Sequence, residues 1–391
     1  MAGLELIFAD EACARALADD GLLAAMARFE AALARAAAKA ALISDADAEA
    51  IAETCAEFRP DAGALARAAR RAGTLAIPFV DELRKHARAR STSAASVLHS
   101  GATSQDVMDT GMVLCLRPAC ERITTLTVRL GDAAAGIARR HQATPAAGRT
   151  LLQPALPIPF GYKAAVWLSG LARSLPAFRR AVDGACVLQF GGPAGTLASF
   201  GERAAAVEAA LAEQLGLALP AAPWHSARDG IARLGAEAAI LAGSAGKIAR
   251  DVALLMQPEI GEASEAEPGG SSSMAHKRNP SQSLLALEAA LRAPGMVATL
   301  MAQLTPEHER GLGQWQSQWF TLRQLLCAAG SALAAMSEVL ETLQVDTEAM
   351  RANIERSAIP PAERSRGFGA AQAMIERVLE AWRATSRGTW P

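Results

Sequence analysis

Aromatic residues are scarce in this chain: 4% of 391 residues, with a single tyrosine. Strands draw on aromatic and β-branched side chains, whereas Ala and Leu, the strongest helix formers, recur throughout. Composition therefore predicts an all-α fold. Cysteine is also sparse. The six cysteines, at 13, 55, 115, 120, 186 and 327, make no CxxC pair and no Cys/His ligand spacing, which argues against a disulfide framework or a zinc site. Free thiols are expected, and no metal. Charge of either sign is not in excess: the net charge is −1 and the pI about 6.6, so no global field would attract nucleic acid or an anionic membrane. A polyanionic substrate would need its cations gathered in one site. No apolar run reaches the roughly 18 residues that span a bilayer, and the N-terminal stretch carries acids where a secretory signal starts basic. The expected location is cytoplasmic, with no membrane and no nucleic-acid partner.

What is present divides into three segments. From Asp10 to about Arg90, short Ala-rich amphipathic stretches are broken near Pro60 and Pro78, and read as short helices of an N-terminal domain, 1–108. Between Ser91 and Asp109 the pattern dissolves into Ser, Thr and Gly, which predicts a loop at the domain edge. In the central segment, 109–346, Ile231, Leu234, Ala238, Leu241, Ala245, Ile248, Val252 and Leu255 step alternately by three and four. Trp315, Trp319, Leu322, Leu326, Ala329, Leu333, Met336, Leu340 and Leu343 do the same. Sustained 3.5-residue periodicity marks long helices packed side by side at a shallow angle. At 1.5 Å per residue the first would run roughly 39 Å, and its stripe is expected to be covered by other subunits. Gly235, Gly243 and Gly246 would let those neighbours approach closely. The remainder, 347–391, is a short C-terminal helical region with too little apolar mass to stand alone.

The chemistry concentrates between Pro258 and Pro280, within 109–346. Two glycines precede Ser271, Ser272 and Ser273; then come Met274, Ala275, His276, Lys277, Arg278 and Asn279, just before a helix that Ser281 is placed to cap. Glycines permit close approach of backbone N–H groups to an anion. One loop can thus supply a hydroxyl, several backbone donors and a positive charge, a set suited to taking a proton from carbon next to a carboxylate. The plain alternative is a flexible Gly/Ser linker. A linker would not need Met274 and the basic run beside the serines.

Three segments, HSGATSQD (99–106), GRTLLQPA (148–155) and GGSSSMAHKRNP (269–280), resemble in order the three signature regions of the fumarase/aspartase superfamily. The resemblance implies a long central helical bundle, no cofactor, and a homotetramer whose sites take one region from each of three subunits. Within the superfamily, LQFGGPAGTLASFG (188–201), PWHSARD (223–229) and PEHERGLGQW (306–315) are similar to the bacterial 3-carboxymuconate cycloisomerases. That similarity implies a small tricarboxylate substrate, one carboxylate of which adds across a C=C bond to close a lactone while the neighbouring carbon is protonated. Superfamily members continue for several more helices, so the C-terminal region reads as short.

By the same match Ser271 is the expected base, with Ser272 as the fallback, and Lys277, Asn279 and His276 are expected to hold a substrate carboxylate. Thr103, Ser104 and Gln105, with His99, would serve another carboxylate, unless they are merely turn and cap residues. Asp106 is expected to be structural. Arg149, Thr150 and Gln153 are the candidates of the second region. Arg310 with His308, and His225 with Arg228, either line the site or form ion pairs, the structural role being favoured. Leu151 stands where most of the lyases have a His that protonates a leaving nitrogen, and Ala275 where they have Pro. The alternatives are a fumarate-releasing lyase and a non-catalytic helical paralogue.

Overall fold

The computed structural model describes residues 3–365 and 367–388. The N-terminal part holds α1 (Glu11–Ala16), α2 (Asp19–Lys39), α3 (Asp45–Glu57), α4 (Ala62–Ala72), α5 (Ala76–Arg90) and α6 (Thr92–Val97). Asp10, Ser44, Asp61 and Ser91 each accept a backbone N–H at the start of the helix that follows them. Such caps satisfy donors that short helices would otherwise leave open. The central part follows, with five long helices, α7 (Ser104–Arg140), α8 (Phe160–Ala185), α10 (Asp229–Leu255), α11 (Ser281–Ala302) and α12 (Gln314–Thr342), and the shorter α9 (Ala204–Leu215) between α8 and α10. After these come α13 (Thr347–Arg356), α14 (Pro361–Arg364) and α15 (Ala371–Ser386).

Helices α7, α8, α10 and α12 pack as a closed ring, each against the next, while α11 lies outside it on α10 and α12. α15 packs on α8, and its Trp382 fills the space over Gly131, where a Cβ would stand 2.1 Å from the indole. The six cysteines are free, and burial pushes the thiols of Cys115, Cys186 and Cys327 up to about 12.

Both heptads are legible in the bundle, with every stripe residue from Ile231 to Leu255 and from Trp315 to Leu340 buried. The expectation that α10 needs other subunits to cover its stripe is corrected: that stripe is buried within one chain. The small residues work within the chain too. A Cβ on Gly246 would lie 2.4 Å from Ala290 Cβ, and one on Gly235 2.2 Å from Leu300 Cδ1, both on α11; Gly243 faces open space. One chain leaves the other side of α11 uncovered, where Leu284 and Leu291 are 55% and 76% exposed; Ile240 on α10 and Phe320 on α12 are exposed in part as well.

Three further expectations change. The stretch 91–109 is mostly helix, because its Ser and Thr residues sit at the starts of α6 and α7, leaving only 98–103 as loop. By length and composition α11 and α12 are apolar enough to cross a membrane, contrary to the run-length reading; α12 is instead a buried core helix. Finally, the predominantly helical chain carries a hairpin, β1 (Pro145–Thr150) against β2 (Gln153–Pro159), antiparallel, with a register shift between Ala147 and Arg149. Pro145, Pro154, Pro157 and Pro159 exclude a helix there. A second pair, β3 (Ala263–Ser264) with β4 (Gln344–Val345), pins the chain after α10 to the end of α12.

Candidate functional site

The Ser-rich loop is a closed structure. Gly269 and Asn279 exchange backbone hydrogen bonds of 2.8 and 2.7 Å, and Asn279 Nδ2 donates to the Gly270 carbonyl at 2.7 Å. A Cβ on Gly269 would come within 2.8 Å of Ser281, so the residue must be small. The loop's base is buried. Glu265 accepts from the backbone N–H groups of Gln282 and Ser283 and from the Ser283 hydroxyl, at 2.7–3.2 Å. A carboxylate at the positive end of α11 does the capping expected of Ser281, which is instead the helix's first residue.

Within this loop Ser271 differs from its neighbours. Its Oγ accepts the backbone N–H of Met274 at 3.1 Å and, more weakly, that of Ser273 at 3.4 Å. Donors aimed at a hydroxyl oxygen stabilise the negative charge it acquires on losing its proton. Ser272, His276, Lys277 and Arg278 are exposed.

The hairpin belongs to the same end of the bundle. Arg149 makes a two-pronged ion pair with Glu262, at 2.9 and 2.6 Å, and Asn353 Nδ2 adds a third bond to that fully buried carboxylate. The expected substrate role of Arg149 is therefore corrected: its guanidinium neutralises Glu262 and fastens the hairpin to the segment leading into the loop. Thr150 and Gln153 pair across the tip and are exposed. Between them Leu151 and Leu152 both have left-handed backbone, φ 51° and 66°, and are 97% and 71% exposed. Two strained, solvent-facing leucines cost of order 1 kcal/mol each. Lys163, in the first turn of α8 after the hairpin, sits half-buried, and burial lowers its pKa despite the nearby Asp251. Periodicity gave no reason to single out Lys163, Glu262 or Glu265, since each acts through a partner distant in sequence.

The HSGATSQD segment lies at the other end of α10. Asp106, fully buried, accepts from Gly191 N, Gly192 N, Thr103 N and His225 Nε2 at 2.7–3.0 Å, the structural role expected of it. Gln105 is corrected as a substrate ligand. It is fully buried, and its amide donates to Asp109 Oδ2 at 3.0 Å and the His225 carbonyl at 2.9 Å. Arg228 pairs with Asp109 through two bonds, of 2.5 and 2.9 Å, bonds Gln318, and lies 4.5 Å over the Trp224 ring. Arg310 reaches the carbonyls of Gly192 and Pro193 at 3.4 and 3.2 Å. Thus the segments 188–201, 223–229 and 306–315 converge on the start of α7. Thr103 and Ser104 stay half-buried at that helix terminus, and His99, also left-handed at φ 63°, pairs with Glu30 at 2.6 Å.

One chain therefore ties the second region, through Arg149, to the segment leading into the third, and leaves the first at the far end of α10, a helix of 27 residues or roughly 40 Å.

Residues 10–295 match the Lyase family. The chain is 46% identical over 339 residues to a 3-carboxy-cis,cis-muconate cycloisomerase of Pseudomonas aeruginosa, covering 86% of this chain and 74% of that protein. It is 41% identical over 352 residues to a nitrosuccinate lyase of Streptomyces davaonensis, covering 87% and 74%. The crystal structure of the 3-carboxy-cis,cis-muconate lactonizing enzyme from Pseudomonas putida superposes with a TM-score of 0.91 at 36% identity, covering 97% of this chain and 99% of that one.

Proposed function

The chain belongs to the lyase family of the fumarase/aspartase superfamily, and from that premise we propose that it is a lactonising cycloisomerase acting on 3-carboxy-cis,cis-muconate. In the lactonising direction one carboxylate oxygen of the substrate adds to a diene carbon, and the adjacent carbon, α to another carboxylate, takes a proton. In reverse, Ser271 removes that proton and the carboxylate leaves the β carbon. The observation that carries this reading is the pair of backbone N–H groups on Ser271 Oγ. A hydroxyl is a poor base in water and becomes competent only where its alkoxide is stabilised. Lys277 would supply charge to the substrate carboxylates, and His276 a ring N–H donor. Asn279 has one amide hydrogen bonded to Gly270 and offers the other. The chemistry asks for no cofactor, and Leu151 fits it: a carboxylate leaves without the acid that an amine needs.

A second element of the proposal is a homotetramer in which Ser271, the hairpin tip and the Thr103–Ser104 terminus meet from three different subunits; the length of α10 between the first region and the other two supports sharing between chains. The exposed apolar side of α11 supplies a surface for such association. The divisions at 108 and 346 then separate the segment presenting the first region from the one carrying the other two. We place the enzyme in the cytoplasm.

Incubation of the purified protein with 3-carboxy-cis,cis-muconate, following loss of diene absorbance, tests the reading; intact tetramers without turnover would refute it. The similarity to a nitrosuccinate lyase favours one alternative, a fumarate-forming elimination, detected as fumarate released from a substituted succinate.

A further inference from the structure

Glu30 is an acid in the wrong place for a merely structural helix. It lies in the middle of the Ala-rich helix α2, between Phe29 and Ala31, and its side chain is fully buried. A buried carboxylate is costly unless paired and hydrogen-bonded. Its Oε1 meets His99 Nδ1 at 2.6 Å, and its Oε2 has no hydrogen-bond partner. His99 is held unusually as well. Its backbone is left-handed at φ 63°, and two residues on, Gly101 takes φ 78° with Phe200 so close that a Cβ would stand 2.3 Å from the ring. Glu30, His99, Ser100, Gly101, Ser199 and Phe200 border one cavity of about 230 Å³. The imidazole's other nitrogen, Nε2, makes no hydrogen bond among the described residues.

We infer that Glu30 is a positioning residue: its buried carboxylate grips His99 Nδ1, fixes the ring and keeps it cationic, so that Nε2 donates to a carboxylate arm of the substrate. The inference rests on the proposed function and deepens it, since nothing in the sequence pattern of α2 marks Glu30. A tricarboxylate needs fixed positive charge, and a hydrogen bond from an imidazolium to a carboxylate is about twice as strong as a neutral one. Burial works against the charge on His99, but Glu30, helped by Asp106 and opposed by Arg84, raises the imidazole's pKa above its ordinary value. The cation therefore persists to higher pH than a free histidine would allow.

The test compares wild type, Glu30→Gln and Glu30→Asp. Gln keeps the size and a hydrogen bond but removes the charge. In Glu30→Gln, KM for 3-carboxy-cis,cis-muconate should rise by roughly tenfold or more at about pH 8, the rise narrowing towards pH 5.5 where the imidazole protonates unaided. The alkaline limb of kcat/KM should move to lower pH, and Glu30→Asp should restore part of the shift. An active Glu30→Gln enzyme with unchanged KM and an unmoved alkaline limb, whatever its melting temperature, overturns the inference. Should wild type prove inert on the diene, the proposed function fails by itself. His99 is then read by ¹⁵N NMR with tricarballylate as the probe: a perturbed Nε2 in wild type and not in Glu30→Gln upholds the inference, and identical spectra refute it.

Discussion

Ser271 and Ser272 differ by one position and by their environment. Only Ser271 Oγ accepts backbone N–H groups, so its alkoxide is the one the loop stabilises. Replacing Ser271 with Ala is expected to lower turnover by about 10²–10⁴-fold, the range for losing a general acid–base group, with binding of a saturated tricarboxylate little changed. Ser272→Ala should cost far less, and the opposite order would reassign the base. The Glu30–His99 pair also predicts a pH dependence of stability. Because the folded imidazole's pKa is raised, the pair's contribution is fully present below the unfolded value of about 6.5. It is lost as pH rises through the higher folded value. Urea unfolding between pH 6 and about 9 should show wild type losing stability through this window and Glu30→Gln losing less.

At the scale of elements, α10 and α11 are held close by residues without side chains. Gly246→Ala would push a methyl to 2.4 Å from Ala290 Cβ and should destabilise the protein by about 1–3 kcal/mol, as overpacking does. Gly243→Ala, three residues away on the open face, should be neutral or stabilising by up to about 1 kcal/mol. Thermal melting of the two variants separates a packing contact from a mere taste for glycine in the composition. The hairpin is the element least visible beforehand. Its strands carry four prolines and its turn two leucines with positive φ, whereas a sequence-readable hairpin turn is marked by Asn or Gly. The hairpin stands because Arg149 locks onto Glu262, more than a hundred residues away.

For the whole molecule, the decisive surface is the outer side of α11. Leu284 and Leu291 stand exposed there although the helix is among the most apolar in the chain. The proposed tetramer buries that face. Light scattering should return four times the chain mass of 40.6 kDa, and Leu291→Asp should lower the mass and abolish turnover while the far-ultraviolet helical signal persists. A Leu291→Asp protein that stays active as a monomer would sink the shared-site proposal.

The sequence by itself determined the helical class, the two heptad helices and the Ser-rich loop, because helix propensity, 3.5-residue spacing and a dense local motif are all written within a few turns of chain. Tertiary structure decided which polar residues are free to act. Arg149 and Gln105 share the signature segments with Thr150 and Ser104, yet Glu262 claims one and Asp109 with the His225 carbonyl claims the other. Glu30 becomes notable only because folding sets it against His99, 69 residues on. Burial leaves a charge no solvent to turn to, so its partner is chosen in space, and linear spacing carries no record of that choice.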